Sequence, residues 1–176
     1  MGKITFILGG ARSGKSQYAL SLARESGAGK VLFIATASAG DREMRLRIAR
    51  HKRSRPRGWR TIEEPRSLIR ALKRAPRNTQ LVIVDCLTLL ITNLMLEGHS
   101  DSFIEKEVKS GFKLLKEIGC DSIVVSNEVG LGIVPENNLA RRFRDTAGRI
   151  NQAAARMSNE AYLMFAGLSI KMKGEK

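Results

Sequence analysis

Eight residues constrain this chain more than any other stretch: Gly9-Gly10-Ala11-Arg12-Ser13-Gly14-Lys15-Ser16. They fit the pattern G-x-x-x-x-G-K-S. They follow directly on the apolar run Ile4-Thr5-Phe6-Ile7-Leu8 and lead into a helical pattern that begins at Lys15. A strand, a glycine-rich turn and a helix in that order make a phosphate-binding P-loop. Glycines let successive backbone N–H groups turn inward around phosphate oxygens, and the helix N-terminus adds the positive end of its dipole. Lys15 brings a point charge to the β- and γ-phosphates, and the Ser16 hydroxyl is a ligand for Mg²⁺.

The rest of the chain agrees with that start. Short apolar runs at Ile4–Leu8, Val31–Thr36, Leu81–Asp85, Ser122–Ser126 and Ala161–Ala166 read as strands, with a further short one near Trp59–Ile62. They are continuous rather than alternating, as strands covered on both faces are. Helical patterns lie between them, over Lys15–Glu25, Asp41–Arg53, Pro65–Arg74, Cys86–Leu96, Ser102–Ile118 and Leu139–Met157. Strands alternating with helices predict an α/β fold with a mainly parallel central sheet flanked by helices. A length of 176 residues fits one P-loop nucleotide-binding domain over residues 1–176. Asp101 or Ser102 is expected to cap the fifth helix, with Glu105 completing a capping box. The long connection Asn127–Asn138 follows a strand and reads as a functional loop at the carboxyl edge of the sheet.

A P-loop needs a second oxygen ligand for its metal. Leu81-Val82-Ile83-Val84-Asp85 is an apolar strand ending in an acid, which gives Asp85 that role beside Ser16. The alternative is an Asp that caps the next helix. Asp145-Thr146-Ala147-Gly148 matches a GTPase DxxG, but it lies in a helical pattern and no guanine-reading N-K-x-D occurs. Cys86, next to Asp85, reads as a small apolar residue beside a buried strand rather than as a nucleophile.

The net charge is +14, and residues 41–77 hold 14 Lys and Arg against 4 acids. The excess is therefore one local block. On a helix, Met44, Ile48 and His51 share a stripe within it. His51 is one of 2 histidines in the chain. It is either a packed surface histidine or a nucleophile, since neighbouring cations disfavour the imidazolium and a neutral imidazole can attack phosphorus. A nucleic-acid patch is the other reading of the block. Trp59 is its sole aromatic residue, so it offers little stacking platform, and nucleic acid is not the expected partner. Cys86 and Cys120 form no CxxC and have no nearby histidine pair, which points to a reducing cytoplasm rather than to disulfides or structural zinc. No run of 18 apolar residues is present to span a bilayer.

Taken in order, these residues resemble the bifunctional adenosylcobinamide kinase / adenosylcobinamide-phosphate guanylyltransferase family of cobalamin biosynthesis. The resemblance runs from Gly9–Ser16 through Ile34-Ala35-Thr36-Ala37, His51-Lys52, Arg55-Pro56 and Trp59. It continues over Thr92-Asn93-Leu94, Ser126-Asn127-Glu128-Val129-Gly130, Gly132-Ile133-Val134-Pro135-Glu136-Asn137, Phe143-Arg144-Asp145 and Asn151-Gln152. It implies a RecA-like P-loop fold, a homotrimer and two reactions. A nucleoside triphosphate, ATP or GTP, phosphorylates the aminopropanol hydroxyl of adenosylcobinamide. GTP then guanylylates a histidine, and GMP passes to adenosylcobinamide phosphate to give adenosylcobinamide-GDP. The family's histidine falls on His51; where some members carry two adjacent histidines, this chain has Arg50-His51. Its nucleotide-binding positions fall on Gly9, Gly10, Ala11, Arg12, Ser13, Gly14, Lys15, Ser16, Thr36, Ala37, Ser38, Ser54, Arg55, Pro56, Arg57, Glu63 and Asp85. Where some members have Glu at the strand end, Asp85 is shorter by one methylene. The competing expectations are a P-loop small-molecule kinase in which His51 is inert, and a nucleic-acid-binding P-loop ATPase.

Overall fold

The computed structural model describes residues 2–38, 40, 42–53 and 55–174; the side chains of residues 43, 44, 47, 50 and 51 lie outside that description. In chain order the elements are β1 (Ile4–Gly9), α1 (Lys15–Glu25), β2 (Val31–Ala35), α2 (Arg42–Arg53), β3 (Arg60–Glu63), α3 (Leu68–Lys73) and β4 (Leu81–Asp85). They continue as α4 (Leu87–Leu96), α5 (Asp101–Glu117), β5 (Asp121–Asn127), α6 (Asn138–Met157), β6 (Glu160–Phe165) and β7 (Leu168–Lys173). One seven-stranded sheet runs in the order β3-β2-β4-β5-β1-β6-β7. Every neighbouring pair is parallel except β6 with β7.

The continuous apolar runs are explained by the sheet's two covered faces. Ile4, Phe6, Leu32, Ile34, Val82, Val84 and Val124 pack one way, against α3, α4, α5 and α6. Their neighbours Ile7, Val31, Phe33, Ile83, Ile123 and Val125 pack the other way, with Ala19, Leu20 and Ala23 of α1. Successive strand residues point to opposite faces, so burying both faces demands an apolar residue at nearly every position.

Two sequence expectations need correcting. Ser100, not Asp101 or Ser102, caps α5, its hydroxyl accepting the Phe103 N–H at 3.3 Å. Asp101 is already inside the helix, where its carboxylate accepts from Arg142 at 2.6 Å and from Arg149 at 2.9 Å. Glu105 turns outward to Arg149 and Lys109 instead of back to the cap. An ion-pair cluster between α5 and α6 thus uses the residues that a capping box would need. Strand β7 was not foreseen: its alternating Leu168-Ser169-Ile170-Lys171-Met172-Lys173 is all exposed and pairs only with β6, antiparallel, at the edge of the sheet. The Asp145–Gly148 segment lies within α6 with Thr146 and Ala147 buried, which removes it from switch chemistry.

Candidate active site

β5 lies between β1, which leads into the P-loop, and β4, which ends in Asp85. All three point their carboxyl ends the same way, and a cleft opens there, where ligands of open parallel sheets bind. The cavity has a volume of about 470 Å³ and is lined by Ala11, Arg12, Ser13, Gly14, Lys15, Ser16, Gln17, Asp85, Cys86, Leu89 and Asn127. That is the size of a small-molecule site.

The P-loop turn is fixed by backbone geometry and by its neighbours. Arg12 and Gly14 both adopt positive φ, 56° and 92°. Gly9 is required by close packing: a Cβ there would sit 2.5 Å from the Met164 carbonyl oxygen and 2.7 Å from Ser13 Oγ. The β6–β7 turn braces the loop from behind, Gly167 N donating to the Ser13 carbonyl at 3.2 Å. Lys15 is buried, and its ammonium donates to the Gly10 carbonyl at 2.5 Å. Ser16 and Asp85 line the same cavity. Asp85 is not a helix cap; Cys86 holds that position in α4. The Cys86 thiol is pushed up to about 11, first by burial and then by Asp85, so it is a poor nucleophile.

Behind the cavity, Thr36 and Cys86 tie β2 to β4. The Thr36 hydroxyl donates to the Cys86 carbonyl at 2.7 Å and accepts its N–H at 2.8 Å. Thr36 is fully buried, so its side chain holds the sheet edge together. Asn93 reinforces that edge by donating to the Thr36 carbonyl at 2.8 Å and the Pro65 carbonyl at 3.0 Å.

Arg55 is the second cationic group of interest. Its guanidinium lies 3.8 Å over the Phe33 ring, and Nη1 donates to Thr61 Oγ1 at 3.3 Å. Its Nε is buried and has no hydrogen-bond partner among the described residues. Burial pulls the group below its ordinary value, opposed by the carboxylates of Asp85 and Glu63. Arginine nevertheless stays charged in proteins.

The remaining candidates are spread more widely. Ala37 and Pro56 are partly exposed, and Ser38, Arg57 and Glu63 are exposed. Glu63 pairs with Lys52, which links α2 to β3. Ser54 lies outside the described residues, as does the His51 side chain; the His51 backbone belongs to α2. Of the described α2 side chains, Arg42, Arg45, Leu46, Lys52 and Arg53 are exposed and Ile48 and Ala49 half-buried. The structure therefore gathers Ala11–Ser16 and Asp85 around one cavity, with Gly9 and Gly10 leading in. Thr36, Ala37, Ser38, Arg55, Pro56, Arg57 and Glu63 are not among the residues that line it. Part of the basic block is structural, since Arg70 pairs with buried Glu64 and Arg66 with Glu97.

Asn127 was missed as a site residue. It ends β5 and is one of the residues lining the cavity. The available signal was its place at a strand end before a long loop. What holds it there is tertiary: buried Asn151 of α6 accepts from Ser126 Oγ at 2.7 Å and donates to the Asn127 carbonyl at 3.0 Å.

Comparisons with known proteins agree with this geometry. The profile of the family described as cobinamide kinase / cobinamide phosphate guanyltransferase matches residues 5–172. The bifunctional adenosylcobalamin biosynthesis protein CobP of Pseudomonas aeruginosa is 46% identical, over 96% of each chain. CobU proteins of the same description from Escherichia coli and Salmonella typhimurium are 37% and 38% identical, each over 95% of this chain and 98% of the relative. Among solved structures, the flagellar accessory protein FlaH of Methanocaldococcus jannaschii superposes with a TM-score of 0.59 at 17% identity, covering 99% of this chain and 79% of that one. The RadB recombinase does so with a TM-score of 0.56 at 18% identity, covering 92% and 74%. These two share the RecA-like P-loop fold of this chain. With the family profile matching residues 5–172 and relatives 37–46% identical over nearly their full length, the chain belongs to the cobinamide kinase / cobinamide phosphate guanyltransferase family.

Proposed function

We propose that this chain performs both reactions in its family's description, phosphorylating adenosylcobinamide and then transferring GMP from GTP to the product. The observation that carries this reading is the joining of Lys15, Ser16, Asp85 and Asn127 around one cavity at the carboxyl edge of the sheet.

In the first reaction the triphosphate, from ATP or GTP, lies along the Ala11–Ser16 backbone with Lys15 neutralising charge on its outer phosphates. The hydroxyl oxygen of cobinamide attacks the γ-phosphorus. The bond from that phosphorus to the β,γ-bridging oxygen breaks, its electron pair leaves with the nucleoside diphosphate, and the hydroxyl proton is released. Ser16 and Asp85 offer two hard oxygens on one cavity wall, which suits Mg²⁺, an ion that completes its shell with phosphates and water. Among the described residues no cluster of three His, Cys, Asp or Glu offers a richer metal cage. When bound, Mg²⁺ neutralises charge that develops on the phosphate oxygens.

In the second reaction a neutral His51 nitrogen attacks the α-phosphorus of GTP, and pyrophosphate departs with the electron pair of the broken bond. A phosphate oxygen of cobinamide phosphate then displaces the imidazole, forming the diphosphate linkage and restoring the histidine. Helix α2, exposed at Arg45, Leu46, Lys52 and Arg53 and joined to β3 by the exposed Lys52–Glu63 pair, is an element able to carry His51 between positions. Half-buried Arg55, whose buried Nε has no hydrogen-bond partner among the described residues, supports a phosphate contact beside Asp85. Thr36, Ala37, Ser38, Ser54, Pro56, Arg57 and Glu63 complete the proposed nucleotide environment.

Assembly and location follow the same reading. Edge strand β7 presents Leu168, Ile170 and Met172, each about half exposed or more, at the open side of the sheet. An exposed apolar face on an edge strand supports the proposed homotrimer, in which another copy would cover it. Among the described residues no helix is long and apolar enough to cross a membrane. Free Cys86 and Cys120 suit the reducing cytoplasm, where both substrates would be met by a single P-loop domain spanning the chain.

Incubation with GTP, Mg²⁺ and cobinamide, followed by mass analysis of protein and corrinoid, tests the assignment. The expected products are a protein heavier by one GMP, with an acid-labile and base-stable linkage, and cobinamide-GDP. His51→Ala should lose the adduct yet still phosphorylate cobinamide. Kinase activity with no adduct in the unaltered protein would reduce the function to a P-loop kinase. DNA-stimulated ATPase with no corrinoid product would replace it altogether.

A further inference from the structure

The loop between β5 and α6 is unusual in what it shows to water. Leu131, Ile133 and Val134 are 84%, 96% and 59% exposed, and Leu139 at the start of α6 is 46% exposed. Isolated surface apolar residues are ordinary, but four large ones clustered within nine positions mark a surface that something covers.

The loop is not a slack segment whose apolar groups have failed to find the core. Asn127, the last residue of β5, lines the cavity, and the loop's first residue, Glu128, donates its N–H to the Gly9 carbonyl at 2.9 Å. Val129 packs on the main core. At the far end Asn137 caps α6, accepting from Leu139 and Ala140 N–H groups at 2.8 and 3.1 Å. Arg141 reaches back to the Pro135 and Glu136 carbonyls at 2.8 and 2.5 Å. Both ends are therefore fastened, the first of them next to cavity-lining Asn127 and to Gly9 at the start of the P-loop, and the apolar side chains between them are exposed.

The cavity itself, about 470 Å³, is of the size that takes one small-molecule ligand, not a nucleotide and a macrocycle together. An acceptor built as a large, methyl-fringed ring with its hydroxyl on a flexible arm must keep the ring outside and send in only the arm. We infer that the apolar loop Leu131–Val134, with Leu139, is the platform on which the corrin ring of cobinamide rests while its aminopropanol hydroxyl enters past Asn127. The inference rests on the kinase reading above. It adds the place of the ring, and it makes this loop the determinant of affinity for the acceptor rather than for the nucleotide.

The test uses the full chain with Leu131→Asp and Ile133→Asp, and with Leu96→Asp as a control at an exposed leucine outside the loop. Both loop residues are exposed, so a charge there does not disturb the core. Cobinamide KM is expected to rise tenfold or more in each loop variant, with the KM for the nucleotide within twofold and the control unaltered. Equilibrium dialysis of the coloured cobinamide should show the same loss without catalysis, and Ile133→Met should retain near-normal affinity. A cobinamide KM within twofold of the unaltered protein in both Asp variants overturns the inference. A change in subunit number in those variants overturns it in favour of a second copy as the occupant. Failure of the unaltered protein to phosphorylate cobinamide at all would instead remove the kinase reading, a result separable from either.

Discussion

The guanidinium of Arg55 lies 3.8 Å above the ring of Phe33, with its Nε buried and without a hydrogen-bond partner among the described residues. A buried cationic donor with spare capacity is costly unless a ligand completes it. Arg55→Ala should weaken nucleotide binding by about 1.5–3 kcal/mol, the scale of a hydrogen bond to a charged group. Arg55→Lys should not restore it, because an ammonium neither stacks on the ring nor reproduces the planar fork. Titration with GTP checks this; unchanged affinity in both variants would make Arg55 purely structural.

Asn151 acts on the site through Asn127. Asn151→Ala removes the partner of buried Ser126 Oγ and releases the Asn127 carbonyl. A stability loss of about 1–3 kcal/mol is expected from the orphaned groups. Beyond that, kcat should fall while the KM for the nucleotide barely moves, since Asn127 lies on the wall that the acceptor hydroxyl must pass. A nucleotide KM that rises in step with the stability loss would mark a merely structural role.

Gly9→Ala places a methyl group against the Met164 carbonyl and Ser13. Because the neighbour is backbone, the strand or the loop must shift. A loss of roughly 1–3 kcal/mol is expected from overpacking, together with lost nucleotide binding. Gly10→Ala is the contrast, since a Cβ there meets nothing within 4 Å. Thermal melts with and without nucleotide separate the two effects.

The Cys86 thiol, raised to about 11 by burial, holds little thiolate at neutral pH. Alkylation of native protein at pH 7.5 should be about 10²-fold slower at Cys86 than at a free thiol with a pKa of about 8.5. Peptide mass mapping reads the rate directly. Rapid labelling of Cys86 would contradict the buried placement.

Acid stability should centre partly on Glu64. Its carboxylate accepts from Arg70 Nε and Nη2, both at 2.5 Å, and from the Arg66 N–H at 3.1 Å. The Arg70 hydrogen bonds hold the carboxyl below its ordinary value, against burial that pushes it up. A depressed folded value means the unfolded chain takes up the proton first as pH falls. The contribution is therefore complete above about 4.3, the unfolded value, and fades as pH drops from there through the folded one. Glu105, lowered by Arg149, behaves the same way. The melting temperature should be flat from pH 7 to about 5 and fall below it. Glu64→Gln should melt lower at neutral pH and show a shallower acid limb; an unchanged limb would place the acid sensitivity elsewhere.

Local sequence determined the elements whose signal is local. The P-loop turn needs glycine where the backbone takes positive φ or meets another strand, so Gly9 and Gly14 announce it in one dimension. β4 was legible with its ends because burial on both faces forces five residues, Leu81–Asp85, into an unbroken run closed by an acid. Tertiary structure alone decided the rest. The insertion of β5 between β1 and β4 brings Asp85 and Asn127 to the same cavity as Lys15, although they stand far apart in the chain. The inward turn of Thr36, the stacking of Arg55 on Phe33 and the bracing of the loop by Gly167 are contacts between segments far apart or meeting across elements. Periodicity reports which face of an element is covered; it carries no record of which element does the covering, and a catalytic site is made of those choices.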